Sequence, residues 1–388
     1  SDGGLFATLA EMMFASRVGL SVTVPDDVQP VDFMFNEELG VVIQIAADDL
    51  ADFEAVFSAE DIPVQVVATE SRAGMSVSQS GKELMSVDRA TLQRRWSETS
   101  YNIQSLRDNP QCASEEFQRI SDENDPGLSV NLTFHVDEDV AAPMIATGVR
   151  PRIAILREQG VNSQVEMAAA FTRAGFSAID VHMSELLSGK QDFDECKGLV
   201  ACGGFSYGDV LGAGEGWAKS ILFNDRGRDV FGSFFAREDT FGLGVCNGCQ
   251  MFAALKELIP GAAAWPRFVT NRSEQFEARF SLVQVLDSPS VLLKGMAGSH
   301  MPIAVSHGEG RADFSESQAL ALLGNGQVSL QFVDHYLDVT ETYPMNPNGS
   351  PLGVTGVTTT DGRFTAMMPH PERVYRTCQN SWHPVEWN

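Results

Sequence analysis

The chain has 388 residues, a hydrophobic fraction of 43% and a formal net charge of −25, with a pI near 4.5. That length implies two or three domains with cores of their own. A surface this acidic repels nucleic-acid phosphates and anionic membranes, so neither is an expected partner, although a local site for a phosphorylated small molecule stays open. The six cysteines are too scattered for a disulfide framework, no apolar run approaches the ~20 residues of a membrane helix, and no signal peptide is visible, so a reduced, cytoplasmic protein is expected.

Residues 1–24 read as a helix followed by a short strand: Leu5, Leu9, Met12 and Met13 recur at helical spacing, and 20–24 is a β run. Asp2-Gly3-Gly4 at the helix start either offers backbone amides to a phosphate or serves as an ordinary cap and tight turn. Glu37-Glu38 is either a pair of metal ligands or a solvated turn. Residues 41–45 read as a buried strand, 49–59 as a helix with Leu50, Phe53, Val56 and Phe57 on one face, and 64–68 as another strand, together a βαβ unit. Asp88 caps a long helix to Arg107 that carries Leu92, Trp96, Ile103 and Leu106 and is closed by Pro110. A short helix over 115–120, a loop over 121–127 and an alternating strand over 129–136 follow. Residues 137–150, with Asp137, Glu138, Asp139, a proline and a glycine, read as a linker, so the expected domains are 1–136 and 151–388.

From Arg152 the pattern becomes strand–helix alternation. Strands are expected at 153–156, 178–181 and 198–202, and helices at 163–174, around 217–223 and around 227–237. This is an α/β fold with a doubly wound, mainly parallel sheet, whose active site belongs at the carboxyl ends of the strands. Gly203-Gly204, Cys246 and Pro369-His370 each directly follow a predicted strand, so three motifs fall on one edge of the sheet.

The chemistry starts at Cys246. The apolar run 241–245 ends in this cysteine and a helical pattern begins at once, which makes a strand, a sharp turn and a helix. The helix start aims free N–H groups and partial positive charge at the sulfur and favours the thiolate. Near the C-terminus, Pro371 biases His370 toward an extended conformation, in which residues two apart point the same way, so His370 and Glu372 form an imidazole–carboxylate pair. Cys246, His370 and Glu372 thus supply nucleophile, base and orienter. The N–H of Asn247, at the helix start, is a candidate donor to a tetrahedral oxyanion.

Gly-Val-Cys-Asn-Gly-Cys-Gln at 244–250 and Pro-His-Pro-Glu at 369–372 resemble the class I, triad-type glutamine amidotransferases. Together with 203–209 (Gly-Gly-Phe-Ser-Tyr-Gly-Asp), 271–277 (Asn-Arg-Ser-Glu-Gln-Phe-Glu) and 306–311 (Ser-His-Gly-Glu-Gly-Arg), they resemble the large, single-chain phosphoribosylformylglycinamidine synthases of purine biosynthesis. The resemblance implies a flavodoxin-like glutaminase domain preceded by part of an α+β, aminoimidazole-ribonucleotide-synthetase-like domain. It implies glutamine as substrate, with ammonia passed to ATP-activated formylglycinamide ribonucleotide, and ATP with Mg2+ at the synthetase site. By the same resemblance Gly204 N–H is the second oxyanion donor, Gln250, Ser273, Gln275, Phe276 and Ser206 hold the glutamine head group, and Ser1 contacts nucleotide. The magnesium-binding acid of that motif would precede Ser1, and the family continues beyond Asn388, so the chain is expected to be cut at both ends.

Rival readings attach to the same residues. Cys246 and Cys249 form a C-x-x-C, which permits a redox dithiol or half a zinc site, but no second C-x-x-C exists and Cys249 is expected to face the core. The glycine-rich stretch 203–216 lacks the Lys-Ser/Thr ending of a P-loop. His307, with Glu309 two residues on, repeats the His370/Glu372 spacing without an apolar strand end immediately before the pair, and reads as a supporting or interdomain residue. A non-catalytic binding module and a cysteine peptidase of the same fold are the alternatives in function. The intact triad opposes the first, and the glutamine-binding motifs with the N-terminal synthetase segment oppose the second.

Overall fold

The computed structural model describes residues 2–72 and 74–387. Its contacts divide the chain into two units, Ser1–Arg107 with Glu116–Asn124, and Asp108–Glu115 with Asp125–Asn388.

In the first unit the helix Gly4–Ser16 begins where Gly3 adopts a left-handed φ of 94°. Strands β1 (Gly19–Val24), β2 (Ala68–Ser71), β3 (Met75–Gln79) and β4 (Lys82–Val87) form a sheet in the order β2-β1-β3-β4. Leu9 and Met13 of the helix pack with Val22, Val24, Met75 and Val77 of the sheet as this unit's core. The long helix Arg89–Arg107 is capped as expected, with Asp88 Oδ1 accepting from Thr91 N at 2.8 Å. The strand expected at 41–45 is absent: Val41 is 87% exposed and the segment joins no sheet. A β-branched run makes a strand only where another strand supplies ladder hydrogen bonds, and none of β1–β4 pairs with this segment. The expected βαβ unit therefore does not form. Its helix exists as Leu50–Ser58 but buries none of its residues, and its second strand lies four residues later, as β2.

A helix runs over Pro110–Gln118, its start five residues before the expected position. The alternating stretch 129–136 is also not a strand. It contributes one isolated bridge, Asn131 to His300, and a short helix, Ala142–Ala146, follows. The strands are then β5 (Arg152–Arg157), β6 (Ser177–His182), β7 (Cys196–Ala201), β8 (Phe241–Val245), β9 (Arg267–Thr270), β10 (Glu277–Val285), β11 (His300–His307), β12 (Glu309–Asp313), β13 (Val328–Phe332), β14 (Val354–Thr358) and β15 (Phe364–Met367). Nine of them form one sheet in the order β11-β10-β13-β14-β15-β8-β7-β5-β6, and β9 pairs with β12 apart from it.

Strands β15, β8, β7, β5 and β6 are mutually parallel, and β14, β13, β10 and β11 extend the sheet by antiparallel pairings. The parallel half reads as nearly unbroken apolar runs because it is covered on both faces. Trp217, Ile221, Phe231, Phe234, Phe235 and Phe252, on helices Glu215–Leu222, Asp225–Ala236 and Asn247–Ala254, pack into one core with these strands. The chain leaves β5 first to β6 on one side and then to β7 on the other, which opens a crevice at the carboxyl ends of β5 and β7.

Candidate active site

Register brings the three strand-end motifs together. Ala201 of β7 lies beside Gly244 of β8, and Val245 beside Met367 of β15, so Gly203, Cys246 and His370 emerge on one edge. Cys246 is the residue between β8 and the helix Asn247–Ala254, at φ 53° and ψ −111°. A non-glycine residue there is strained by ~1–3 kcal/mol, and the surrounding structure must hold it. Two backbone bonds do so: Cys246 N donates to Met367 O at 2.9 Å, and Gln250 N donates to Cys246 O at 3.0 Å. Close packing also fixes the turn, because a Cβ on Gly248 would sit 2.0 Å from Ala201 O and one on Gly203 would sit 2.5 Å from His370 Cε1.

His370 Nδ1 and Glu372 Oε1 are 2.7 Å apart, and both side chains are 1% exposed. The pairing orients the imidazole and leaves His370 Nε2 with no hydrogen-bond partner among the described residues. His370 N donates to Ala304 O at 2.8 Å, which ties the loop after β15 to β11. Burial alone would raise the Cys246 thiol, but the His370 charge, with the His307 and His370 imidazoles favouring the thiolate, overcomes it and brings the thiol down to about 5. Burial would lower His370, and the Cys246 thiolate with the Glu372 carboxylate raises it to about 9. The resting form between those values is a thiolate–imidazolium pair. Cys249 is fully buried and its thiol is pushed well above 9, first by burial and then by Cys246, so it faces the core as expected. All six cysteines are free thiols.

A cavity of about 190 Å³ opens on the sulfur. This is small beside the ~300–1,000 Å³ of drug-sized pockets and suits a ligand of amino-acid size. Of the residues expected here, Gly204, Cys246, Gln250 and Phe276 line it. Ser206, Asn247 and Ser273 are instead buried and do not line it. Asn247 Oδ1 accepts from Ser206 N at 3.2 Å, and its Nδ2 donates to Asp209 Oδ1 at 2.9 Å. Gln275 N donates to Ser273 Oγ at 3.4 Å, and Gln275 is half-buried beside the cavity residue Phe276. Gln250 Nε2 donates to Glu309 O. Asn247 is the first residue of its helix, so its backbone N–H has no intrahelical acceptor.

Sequence reasoning missed two lining carboxylates, Asp209 and Glu309. Both lay inside quoted motifs, but nothing in their spacing showed that loops 37 or more residues from Cys246 converge on it. Burial, opposed by the Asn247 hydrogen bond and reinforced by Glu309, raises the Asp209 carboxyl. Ser1 lies outside the described residues. Beside it, Gly3 N donates to Glu37 Oε1 at 2.7 Å, so a carboxylate of this chain holds the amide that a phosphate would use. Among the described residues no group of three or more His, Cys, Asp or Glu side chains could hold a metal ion, and no helix is long and apolar enough to cross a membrane.

Residues 150–388 match the family described as the CobB/CobQ-like glutamine amidotransferase domain. The chain belongs to that family. Residues 1–75 match the C-terminal domain of AIR synthase related proteins. Among solved structures, PurLQS from Thermotoga maritima is 23% identical over 60% of this chain and 92% of its own, with a TM-score of 0.44. A glutamine amidotransferase, also from Thermotoga maritima, is 15% identical over 58% of this chain and 77% of its own, at 0.37.

Proposed function

We propose that the chain hydrolyses glutamine to glutamate and ammonia, and that the ammonia serves the ATP-dependent conversion of formylglycinamide ribonucleotide to its amidine in cytoplasmic purine biosynthesis. The observation that carries the glutaminase reading is the strained Cys246 elbow and an oriented His370–Glu372 pair, with Cys246 and His370 both packed against Gly203. The synthase context is supported by the AIR-synthase-related match of residues 1–75 in the same chain.

In this reading the Cys246 thiolate attacks the side-chain amide carbon of glutamine, forming the C–S bond. The backbone N–H of Asn247, with that of Gly204, receives the oxyanion. His370 Nε2 gives its proton to the nitrogen as the C–N bond breaks and ammonia leaves. Neutral His370 then takes a proton from water as its oxygen attacks the thioester, the C–S bond breaks, and glutamate departs with the thiolate restored. Asp209 and Glu309 supply negative charge for the substrate's ammonium group. ATP and Mg2+ belong to the acceptor reaction. The Glu37 carboxylate on Gly3 does not fit a phosphate site, so no step is assigned to a nucleotide on this chain.

The test is release of glutamate and ammonia from glutamine by the 388-residue chain, together with peptide mapping after a glutamine-analogue diazo-ketone. Turnover with adduct at Cys246 is expected. A folded chain that neither hydrolyses glutamine nor takes the label would overturn the glutaminase reading. Labelling at Cys249, or in Cys246→Ala, would overturn the nucleophile.

A further inference from the structure

The Cys246 sulfur has two imidazoles beside it. His307 ends β11, is 3% exposed and lines the same cavity as Cys246. The residue before it supplies an acceptor for the thiol, Ser306 O, 3.7 Å from Sγ. His307 is held from behind by a side chain that no sequence spacing connects to it: its Nε2 lies 2.7 Å from Asn348 Oδ1.

The hydrogen bonds around Asn348 fix which ring nitrogen faces the sulfur. Asn348 Nδ2 donates to Gly310 O at 2.8 Å, so Oδ1 is its acceptor and His307 Nε2 carries the hydrogen. The nitrogen left for the thiol is Nδ1, which is buried and has no hydrogen-bond partner among the described residues. Cys246 and His307 line one cavity, and His307 favours the thiolate; with Nε2 engaged, Nδ1 is the nitrogen available to the sulfur. The arrangement is rigid. Asn271 bridges the turn, accepting from Gly310 N at 2.9 Å and donating to His307 O at 2.8 Å. A Cβ on Gly310 would lie 2.1 Å from His307 Nε2, so the imidazole has this seat only if residue 310 is glycine. Glu309, which the sequence spacing offered as the partner of His307, turns to Ala213 N instead, at 3.1 Å.

We propose that His307, anchored by Asn348, is a second acid–base partner of Cys246, accepting the thiol proton at Nδ1 independently of His370. In that transfer the S–H bond breaks, an Nδ1–H bond forms and the electron pair stays on sulfur. The imidazolium is then hydrogen-bonded on both sides, to the thiolate and to Asn348 Oδ1. The charged and titratable groups that act on the sulfur or line its cavity are His370 with Glu372, Cys249, Asp209 and Glu309. Of these only His370 can take up the proton and hold positive charge against the thiolate. A carboxylate orients His370 and a neutral amide orients His307.

This inference rests on Cys246 being the nucleophile of the proposed glutaminase, but alkylation by iodoacetamide tests it without glutamine. Rates at Cys246 are to be read by peptide mass spectrometry across pH in the full chain. In His307→Gln the profile should move up by about one pH unit, an approximately tenfold loss of rate at the acid end, and Asn348→Leu should move it the same way by less. In His370→Ala the titrating step should stay below that of an unassisted buried thiol, and adding His307→Gln should move it further up. Profiles unchanged in His307→Gln and Asn348→Leu, or identical for His370→Ala and the double variant, would sink the second partner and leave the glutaminase reading intact. Lost turnover in His307→Gln with an unchanged profile would mark a packing role and count against the proposal. Should His307→Gln fail to fold, Asn348→Leu and its comparison with the parent chain decide alone. A parent chain never alkylated at Cys246 would instead sink the glutaminase reading.

Discussion

The chemistry of the site is decided by which proton sits where. The Cys246 thiol is an acid whose folded value falls, to about 5, so its ionisation stabilises the fold above its ordinary value near 9, and that contribution is lost as pH falls through about 5. His370 is a base whose folded value rises to about 9, so its contribution is full below 6.5 and is lost as pH rises through about 9. The reactive pair therefore exists between those limits. Iodoacetamide should modify Cys246 from about pH 5 upward, whereas buried Cys112, Cys196, Cys202 and Cys249, all raised by burial first, should resist at neutral pH. Site-resolved alkylation at pH 6 checks this, and equal labelling of Cys246 and Cys249 would contradict it. Replacing His370 by Ala should lower glutamine turnover by about 10²–10⁴-fold, the worth of a general base, and Glu372→Ala should cost less because the carboxylate acts through the imidazole. Full turnover in His370→Ala would remove the base from the mechanism.

At the scale of elements, two glycines divide stability from activity. A methyl group on Gly248 meets Ala201 O at 2.0 Å and Ala201 C at 2.4 Å, both backbone, so the elbow helix would have to lift from β7. A methyl group on Gly203 meets the His370 ring at 2.5 Å and Cys246 Cβ at 3.3 Å, and the ring can move. Gly248→Ala should therefore cost about 1–3 kcal/mol in thermal or denaturant unfolding. Gly203→Ala should unfold nearly as the parent does while losing most of its turnover. If both variants lose the same stability, the division is wrong. The sequence showed this half of the sheet plainly because parallel strands buried on both faces read as apolar runs at 153–156, 198–202 and 241–245. The same signal at 41–45 misled, since a strand exists only where another can pair with it. The antiparallel strands β10, β11, β13 and β14 gave no such run: Arg279, Gln284, Ser306, Gln331 and Thr355 interrupt them. His370 and Glu372 were legible because their spacing is local. The link from His307 to Asn348 spans 41 residues and three elements, so only the fold reveals it.

For the whole molecule, the two units carry separate cores. One holds Leu9, Met13, Val22 and Met75, and the other gathers the parallel sheet with its helices, including fully buried Trp217 and Trp265. Every residue of the cavity belongs to the second unit. A chain with two cores need not unfold as one cooperative step, and a ligand stabilises the state to which it binds. Two unfolding transitions are therefore expected, and glutamine should raise only the one reported by Trp217 and Trp265. Cys246→Ala, expected to bind glutamine without turning it over, is the chain to use. At a glutamine concentration near 100 times Kd the gain is about 2.7 kcal/mol. Met75→Ala supplies the converse, lowering the first unit's transition by about 2–5 kcal/mol through its cavity while leaving the glutamine-sensitive one in place. The measurement is intrinsic fluorescence beside far-ultraviolet circular dichroism through one thermal ramp. A single transition seen identically by both probes, moved alike by glutamine and by Met75→Ala, would mean that the cores melt together and that binding at Cys246 is coupled to the first unit's fold.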